Sequence, residues 1–391
     1  MILEKIAVPL SLAGDNLGGT LHNQCLHGDL HIVPDAPNRL IPREPSPQAR
    51  LVIPQLTEAH CHLDKCHSIN RLGPIGGDLP QAIEAQAKDH KNWTETDLQN
   101  RIGKGFREAV ASGCGAIRSH IDWGEGTQPP IAWHVLGDLA KDSDLKVQRS
   151  ALMGIDKLAD SAFCAQVATQ VSRSQGGVLG GFVLAHQDRA KGIDNVIKQA
   201  IHHSLPLDFH VDETLHDMDG LGLIADAILR LKYEGPVLCG HACNLMNLSS
   251  DPLARLIDKL LKAGISICAL PTTNLYLQGR TDGTPDRRGI TRLRELEKGG
   301  VPIVLASDNV ADAFCPTGQH DPMAALHLAV LGAHLDPPFD RWLPAITSNA
   351  RHAMGLTEMS VRTATASDLL ISNATSIADL ISGREALTSI V

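Results

Sequence analysis

Several short apolar runs of this sequence end in side chains that could bind a metal ion or move a proton. The first run is followed by His60 and His62, and later runs end at His210, His241 and Asp308. Each run has the length and composition of a buried strand. Because the carboxyl ends of the strands of a (β/α)8 barrel meet at one mouth, these side chains are predicted to converge there and to hold a metal that activates water.

Three imidazoles and one carboxylate form the predicted metal site. His60 and His62 are two residues apart, so both side chains point to the same face of a strand. An isolated pair of this kind is more often structural, but His210 and Asp308 add a third nitrogen and an oxygen. This donor set suits one divalent metal ion, Zn2+ or Fe2+, and leaves a position for water, whose pKa falls towards ~7 on the metal. The fourth strand, residues 180–186, has no lysine that could bridge a second ion.

Two further groups could move protons at this mouth. Glu213 follows His210 by three residues and can reach the site without binding the metal, which predicts a proton shuttle. The alternative is a solvated loop carboxylate. His241 could polarise the substrate or accept a proton from the water, and its alternative is a buried structural histidine.

The elements that must position these groups alternate between strands and amphipathic helices. Eight such strands are predicted between residue 51 and residue 306. They are Leu51–Leu56, Ala116–Ile121, Lys146–Met153, Val178–Leu184, Leu205–Val211, Pro236–Gly240, Ile265–Leu270 and Pro302–Ala306. This order predicts the α/β class and a (β/α)8 TIM barrel over residues 51–356. Residues 1–50 and 357–391 are predicted to form a small β-sandwich-like domain, to which a strand at Ser367–Ile371 returns. A doubly wound sheet would need a glycine-rich phosphate turn after its first strand, and HCHLDKCHS is not one.

Composition and charge argue against several classes of protein. Of the 391 residues 43% are hydrophobic but only 3% aromatic, so the core must be aliphatic. A net charge of −9 with dispersed basic residues argues against nucleic acid or a membrane surface as a partner. Nine scattered cysteines without a CxxC pair, and an N-terminus without a signal-peptide pattern, predict a cytoplasmic protein. No apolar run approaches the ~20 residues that a membrane helix needs.

Seven motifs resemble the amidohydrolase superfamily and, within it, the cytosine deaminase-like branch. They are HCHLDK (60–65), RSHID (118–122), HVDE (210–213), GHACN (240–244), NLYLQGR (274–280), PDRRGITRLREL (285–296) and SDNVADAF (307–314). The resemblance spans about residues 51–356. It implies a single Zn or Fe bound by His60, His62, His210 and Asp308.

The same resemblance implies a reaction. Glu213 would protonate a ring nitrogen of the substrate, while His241 and Asp308 would take protons from the metal-bound water as it attacks the amine-bearing carbon. Ammonia would then leave through a tetrahedral intermediate. The chain is therefore expected to be a hydrolase of nucleobase metabolism that acts on non-peptide C–N bonds in cyclic amidines.

Four substrate-binding residues are predicted from this resemblance: Gly154, Gln278, Asn309 and Phe314. Gly154 stands where cytosine deaminases carry a glutamine that reads the amide edge of the pyrimidine, and Asn309 replaces a second aspartate. Phe314 falls where the family has an aromatic side chain that lines the pocket, which suits stacking on a ring.

Three arginines in the same region, Arg280, Arg287 and Arg288, are placed by the resemblance near the pocket and at a subunit contact. Structural salt bridges are an equally good interpretation of these arginines. A homo-oligomer is expected.

Both departures from the cytosine deaminases concern specificity rather than metal chemistry. The predicted function is a metal-dependent hydrolytic deaminase of a small cytosine-like pyrimidine, substituted cytosines included, or of a related N-heterocycle. One alternative is an ammelide-type amidohydrolase that removes an alkylamino group from a triazine ring. Cyclic-amide ring opening is weakened by the missing lysine. A metal-free barrel that binds a ligand without turnover is the alternative outside enzymes.

Overall fold

The strands form two separate sheets in a computed structural model that describes residues 1–73, 75–216, 219–284 and 288–391. In chain order they are β1 (Ile2–Pro9), β2 (Thr20–His22), β3 (Cys25–His31), β4 (Arg39–Pro42), β5 (Arg50–Pro54), β6 (Leu56–Cys61), β7 (Cys114–Asp122), β8 (Lys146–Leu152), β9 (Gly177–Val183), β10 (Leu207–Val211), β11 (Val237–His241), β12 (Ile265–Ala269), β13 (Ile303–Leu305), β14 (Leu369–Ser372) and β15 (Thr388–Ser389).

Strands β6 to β13 lie side by side in sequence order and all run parallel, so the predicted (β/α)8 barrel is confirmed. The seam between the last strand and the first is closed by backbone and side-chain hydrogen bonds. The Asp308 amide donates to the His60 carbonyl at 3.0 Å, and the Ser307 amide donates to the buried Glu58 carboxylate at 3.2 Å. The backbone of His60 and Asp308, two of the predicted metal ligands, is therefore part of this seam.

Most of the helices cover the outside of the barrel and bury their apolar faces against it. The helices of the chain are α1 (Leu10–Ala13), α2 (Leu79–Asp89), α3 (Glu95–Ala111), α4 (Ile131–Lys141), α5 (Ile155–Leu158), α6 (Ser161–Ser172), α7 (Arg189–His203), α8 (Gly220–Leu231), α9 (Ser250–Lys262), α10 (Pro271–Leu277), α11 (Leu293–Lys298), α12 (Pro322–Gly332), α13 (Ser348–Ala353) and α14 (Ile377–Ile381). Short 3-10 segments occupy Ile69–Arg71, His90–Asn92, Cys243–Asn247, Phe339–Ile346 and Ala366–Asp368. The core between helices and strands is largely aliphatic, as the composition predicts. None of the described helices is long and apolar enough to cross a membrane.

The smaller sheet joins the two ends of the chain. Its strand order is β15-β14-β5-β1-β3-β2, with β4 also paired to β3. Strand β14 pairs antiparallel with β5, which confirms that the chain returns to the N-terminal β layer near residue 370.

The predicted strand Leu51–Leu56 is wrong as a single element. Residues 50–54 form β5 in the smaller sheet, and a new strand, β6, starts at Leu56 and enters the barrel. Pro54 has no backbone N–H for a continued ladder, so the chain changes sheets at this point. The two strands cannot be separated by hydrophobicity, because both are almost entirely buried.

Candidate active site

The five side chains that the sequence places at the barrel mouth come together there. His60 lies near the end of β6 with His62 just beyond it, His210 lies on β10, His241 ends β11, and Asp308 follows β13. All five are buried, with exposed fractions from 0% to 6%. The parallel strands deliver them to one end of the barrel, as predicted.

The distances among these donors fit a single cation. His62 Nε2 lies 3.1 Å from His210 Nε2, and Asp308 Oδ1 lies 3.2 Å from His62 Nε2 and 3.6 Å from His60 Nε2. Ligand atoms about 2.0–2.2 Å from a tetrahedral ion are separated by roughly 3.3–3.6 Å. Both ring nitrogens of His60 and both carboxylate oxygens of Asp308 are buried without a hydrogen-bond partner among the described residues. Such a set of buried donors needs a metal ion or protons to satisfy it.

Burial also sets the protonation states that metal binding requires. It is the main cause that holds the pKa values of His60, His62 and His210 well below the usual value, and the neighbouring histidines add to the effect. These imidazoles are therefore neutral at pH 7 and have free lone pairs. Burial raises the pKa of Asp308 to about 7.

Glu213 and His241 form a second pair above the donors. Glu213 Oε1 lies 3.7 Å from His241 Nδ1, and Asn274 Nδ2 lies 3.1 Å from the same nitrogen. Burial raises the pKa of Glu213 to about 7, although 12% of its side chain remains exposed. A carboxyl group with this pKa can give and take a proton near neutral pH.

A cavity of about 560 Å³ opens above these groups. His62, His210, Glu213 and His241 line its floor, and its walls are mainly apolar. Three of the predicted substrate-binding residues also line it: Gly154, Asn309 and Phe314.

Gln278 does not reach this cavity. It follows α10 directly and packs against Gly289, where its Nε2 is buried without a partner among the described residues. Gln278 therefore does not line the cavity, and its contact with substrate stays a prediction. Arg287 lies outside the described residues, and Arg280 stacks over Tyr276 at 4.5 Å.

A side chain at residue 154 would have close neighbours. A Cβ atom there would lie 2.2 Å from Asp156 Oδ1 and 3.3 Å from Phe182 Cζ. A Cβ atom at residue 154 would therefore require the Asp156 side chain to move. Asn309 donates from Nδ2 to Asp312 Oδ2 at 2.7 Å, which fixes its amide at the cavity wall.

Comparison with known proteins identifies the family. The model described as "Amidohydrolase family" matches residues 176–380. A pterin deaminase of Rhizobium rhizogenes (strain K84) is 38% identical over 311 residues, covering 78% of this chain and 70% of the relative. The chain belongs to the amidohydrolase family. Enzymes of this family depend on metal ions, and the donor cluster fits that property.

Two solved structures share the fold over nearly the whole chain. The 5-methylcytosine deaminase of Klebsiella pneumoniae liganded with 5-fluorocytosine superposes with a TM-score of 0.81 at 21% identity, covering 99% of this chain and 94% of the other. The N-isopropylammelide isopropylaminohydrolase of Burkholderia multivorans superposes with a TM-score of 0.72 at 18% identity, covering 99% and 97%. The predicted amidohydrolase fold, with its cytosine deaminase-like architecture, is confirmed.

His120 is a member of the cluster that the sequence analysis did not assign. Its ring centroid lies 4.0 Å from that of His60 and 4.6 Å from that of His210, and its Nε2 lies 3.1 Å from Asp208 Oδ1. Asp208 also accepts from Arg118 at 2.8 Å. The sequence contains a signal for these residues. Polar side chains alternate in RSHID (118–122) and LDFH (207–210), and residues two apart on a strand share a face.

Lys65 is a second side chain without an assigned role that lies in the site. It lines the cavity, its Nζ donates to Asp122 Oδ1 at 2.7 Å, and it lies 3.1 Å from His62 Nδ1. The ammonium is also 5.9 Å from the centre of the Phe314 ring. A buried cation thus stands between the metal donors and the aromatic wall.

Proposed function

We propose that this protein is a metal-dependent hydrolytic deaminase that releases ammonia from an amino-substituted N-heterocycle. The observation that carries the proposal is the convergence of buried, unpartnered metal donors beside a cavity that His62, His210 and Glu213 line. The relatives named as deaminases support it, since the pterin deaminase is 38% identical to this chain over 311 residues.

His60, His62, His210 and Asp308 would hold one divalent ion, Zn2+ or Fe2+. The bound ion would supply a water molecule acidic enough to act as a nucleophile at neutral pH. The neutral state of the three imidazoles is the state that such an ion requires.

Glu213, His241 and Asp308 would move the protons of the reaction. Glu213, with a pKa of about 7, would donate from its carboxyl group to a ring nitrogen next to the amine-bearing carbon, which makes that carbon more electrophilic. His241 and Asp308 would accept the protons that the attacking water loses. The amide of Asn274 contacts His241 Nδ1 and so orients its Nε2, which has no hydrogen-bond partner among the described residues.

For the substrate we propose a bicyclic 2-amino-4-oxo heterocycle of the pterin type. The cavity of about 560 Å³ exceeds the needs of a single pyrimidine ring, and Phe182 and Phe314 offer faces for an extended ring system. The similarity to a pterin deaminase favours this choice over cytosine. An alkylamino-triazine is the second candidate, because the N-isopropylammelide enzyme matches the fold over 99% of this chain.

The assembly and location of the enzyme stay predictions. The predicted division into a barrel (51–356) and a small β domain (1–50 with 357–391), the homo-oligomer and the cytoplasmic location are kept as part of this proposal.

The test combines metal analysis with a substrate screen. Protein purified without chelator is analysed for Zn, Fe and Mn, and ammonia release is measured with pterin, cytosine, 5-methylcytosine, guanine and N-isopropylammelide. We expect about one metal ion per chain and the fastest release from pterin. Protein that binds well under one equivalent, and stays inactive on every compound after addition of Zn2+ or Fe2+, would instead support the metal-free ligand-binding barrel.

A further inference from the structure

Helix α2 places one buried amide at the wall of the substrate cavity. The helix lies in the long connection between β6 and β7, and its buried positions are Leu79, Ala82, Gln86 and Asp89, which share one face. Leu79 and Ala82 pack in a cluster with Phe314. Gln86 lines the cavity that holds Glu213 and His241.

The Gln86 amide lacks the partners that buried polar groups normally have. The residue is 4% exposed, and neither Oε1 nor Nε2 has a hydrogen-bond partner in the part of the chain that the structure describes. Asp89, one turn further on the same face, is bound by Arg71 and by the Trp93 indole. An amide left without partners in a protein interior is costly, and this amide lies at a cavity where a ligand can supply them.

A glutamine in α2 could also replace an amide that is missing after β8, the third barrel strand. There Gly154 has no side-chain amide to offer a substrate, and a Cβ atom at that position would meet Asp156 and Phe182. If another side chain of the cavity binds the amide edge of the substrate, no side chain is needed for this purpose at residue 154. Gln86 is a buried amide that lines the cavity and has both of its polar atoms free among the described residues.

We propose that Gln86 recognises the lactam edge of the substrate, that is, a ring N–H beside a ring carbonyl. Oε1 accepts from the ring N–H, and Nε2 donates to the carbonyl oxygen. The two bonds lie in the plane of the heterocycle, so they fix which ring nitrogen faces Glu213. This inference rests on the proposed deaminase function and narrows its substrate class to amino-heterocycles that carry a lactam.

The walls of the cavity are mainly apolar, so they contact flat rings without distinguishing among them. Phe182 is 37% exposed and lines the cavity together with Phe314. Ring faces can contact these side chains whatever polar groups the ring edge carries. Discrimination among flat rings then depends on the few polar groups that contact their edges, because a heterocycle without the lactam leaves the buried amide unpaired.

The test compares Gln86→Leu with Gln81→Leu, an exposed glutamine of the same helix. The probes are pterin and 2-aminopteridine, which has the same amine but no lactam. For Gln86→Leu we expect kcat/KM for pterin to fall ~10–100-fold, while the inhibition constant of 2-aminopteridine changes less than ~3-fold. Gln81→Leu should leave both values unchanged.

The melting temperature of the Gln86→Leu protein without ligand should not fall below that of the wild type, since the Gln86 amide has no partner to lose. Gln86→Glu, which keeps the shape but loses the donor, should show the same selective loss and serves if Gln86→Leu does not fold.

Two results would overturn the role of Gln86: equal losses for both probes, or a kcat/KM for pterin within ~3-fold of the wild type. Absence of ammonia release by the wild-type metalloenzyme from every compound would instead count against the deaminase function. Calorimetric binding of pterin and 2-aminopteridine to wild type and Gln86→Leu then still decides whether Gln86 reads the lactam. Selective weakening for pterin supports the inference, and unchanged or equal binding contradicts it.

Discussion

Burial changes the acidity of two carboxyl groups in the candidate active site. The pKa values of Glu213 and Asp308 are both raised to about 7, with loss of hydration as the largest cause. Asp308 lies within 3.6 Å of two imidazoles that a metal ion would use, whereas Glu213 faces the cavity beside His241. We therefore expect one carboxyl group to bind the metal and the other to donate a proton.

Replacement of Glu213 tests this division of roles. Glu213→Gln keeps the shape of the side chain but cannot release a proton, so kcat should fall by ~10²–10⁴-fold. The metal content should stay at the wild-type value, because Glu213 is not a ligand. Glu234→Gln, at an exposed position, is the control and should change neither quantity. Activity within a few-fold of wild type, or loss of metal from Glu213→Gln, would contradict the assignment.

Residue spacing was enough to predict the metal donors but not the whole site. His60, His62 and His210 could be found because each follows an apolar run at a strand end. Gln86 could not, since its position depends on the path of α2 over the barrel mouth, which no local pattern specifies. A family motif places Gln278 near the pocket, but the residue lies at the end of α10 and does not line the cavity.

At the scale of elements, helix α3 shows how closely a helix must approach the barrel. A Cβ atom on Gly105 would lie 2.4 Å from Leu63 Cδ2 and 3.1 Å from the ring of His320. Gly103, two residues earlier, would meet only the end of the flexible Arg107 side chain, at 3.5 Å. Glycine is therefore required by packing at one position of α3 and not at the other.

Alanine at these two glycines should have opposite effects. Gly103→Ala should raise the free energy of unfolding by ~0.5–1 kcal/mol, because alanine has the higher helix propensity. Gly105→Ala should lower it by ~1–3 kcal/mol, because a methyl group is forced into filled space beside Leu63. Urea unfolding of both variants measures the difference, and a stabilising Gly105→Ala would show that α3 can move away from the barrel at little cost.

The order of elements could be read from the sequence better than their boundaries. Seven of the eight barrel strands lie within a few residues of their predicted positions, because parallel strands are continuous apolar runs. The change of sheet between Pro54 and Leu56 was missed, since an apolar run shows that a strand is buried but not which sheet buries it. Pairing of β5 with β14 joins residues more than 300 positions apart in the chain, and no local signal specifies such a contact.

At the scale of the whole molecule, His320 links the seam of the barrel to helix α3. Its Nδ1 lies 3.3 Å from Ser307 Oγ, two residues beyond β13, and its carbonyl accepts from Ser112 Oγ at 2.6 Å. The Nε2 atom is buried with no hydrogen-bond partner among the described residues. Burial lowers the pKa of His320 to about 3, with the nearby His67 adding to the effect.

This depressed pKa predicts a contribution of His320 to acid unfolding. Between about pH 6.5 and pH 3 the unfolded chain binds a proton at this histidine and the folded chain does not, so the stability of the protein falls as the pH falls through that window. In metal-free protein, His320→Asn should reduce the loss of unfolding free energy between pH 6 and pH 5 by up to ~1.4 kcal/mol, which is the value of one proton per pH unit. His352→Asn, on the exposed face of α13, should retain the wild-type dependence. Urea unfolding at the two pH values gives the slopes, and equal slopes for His320→Asn and wild type would mean that the ring becomes protonated without loss of the folded state.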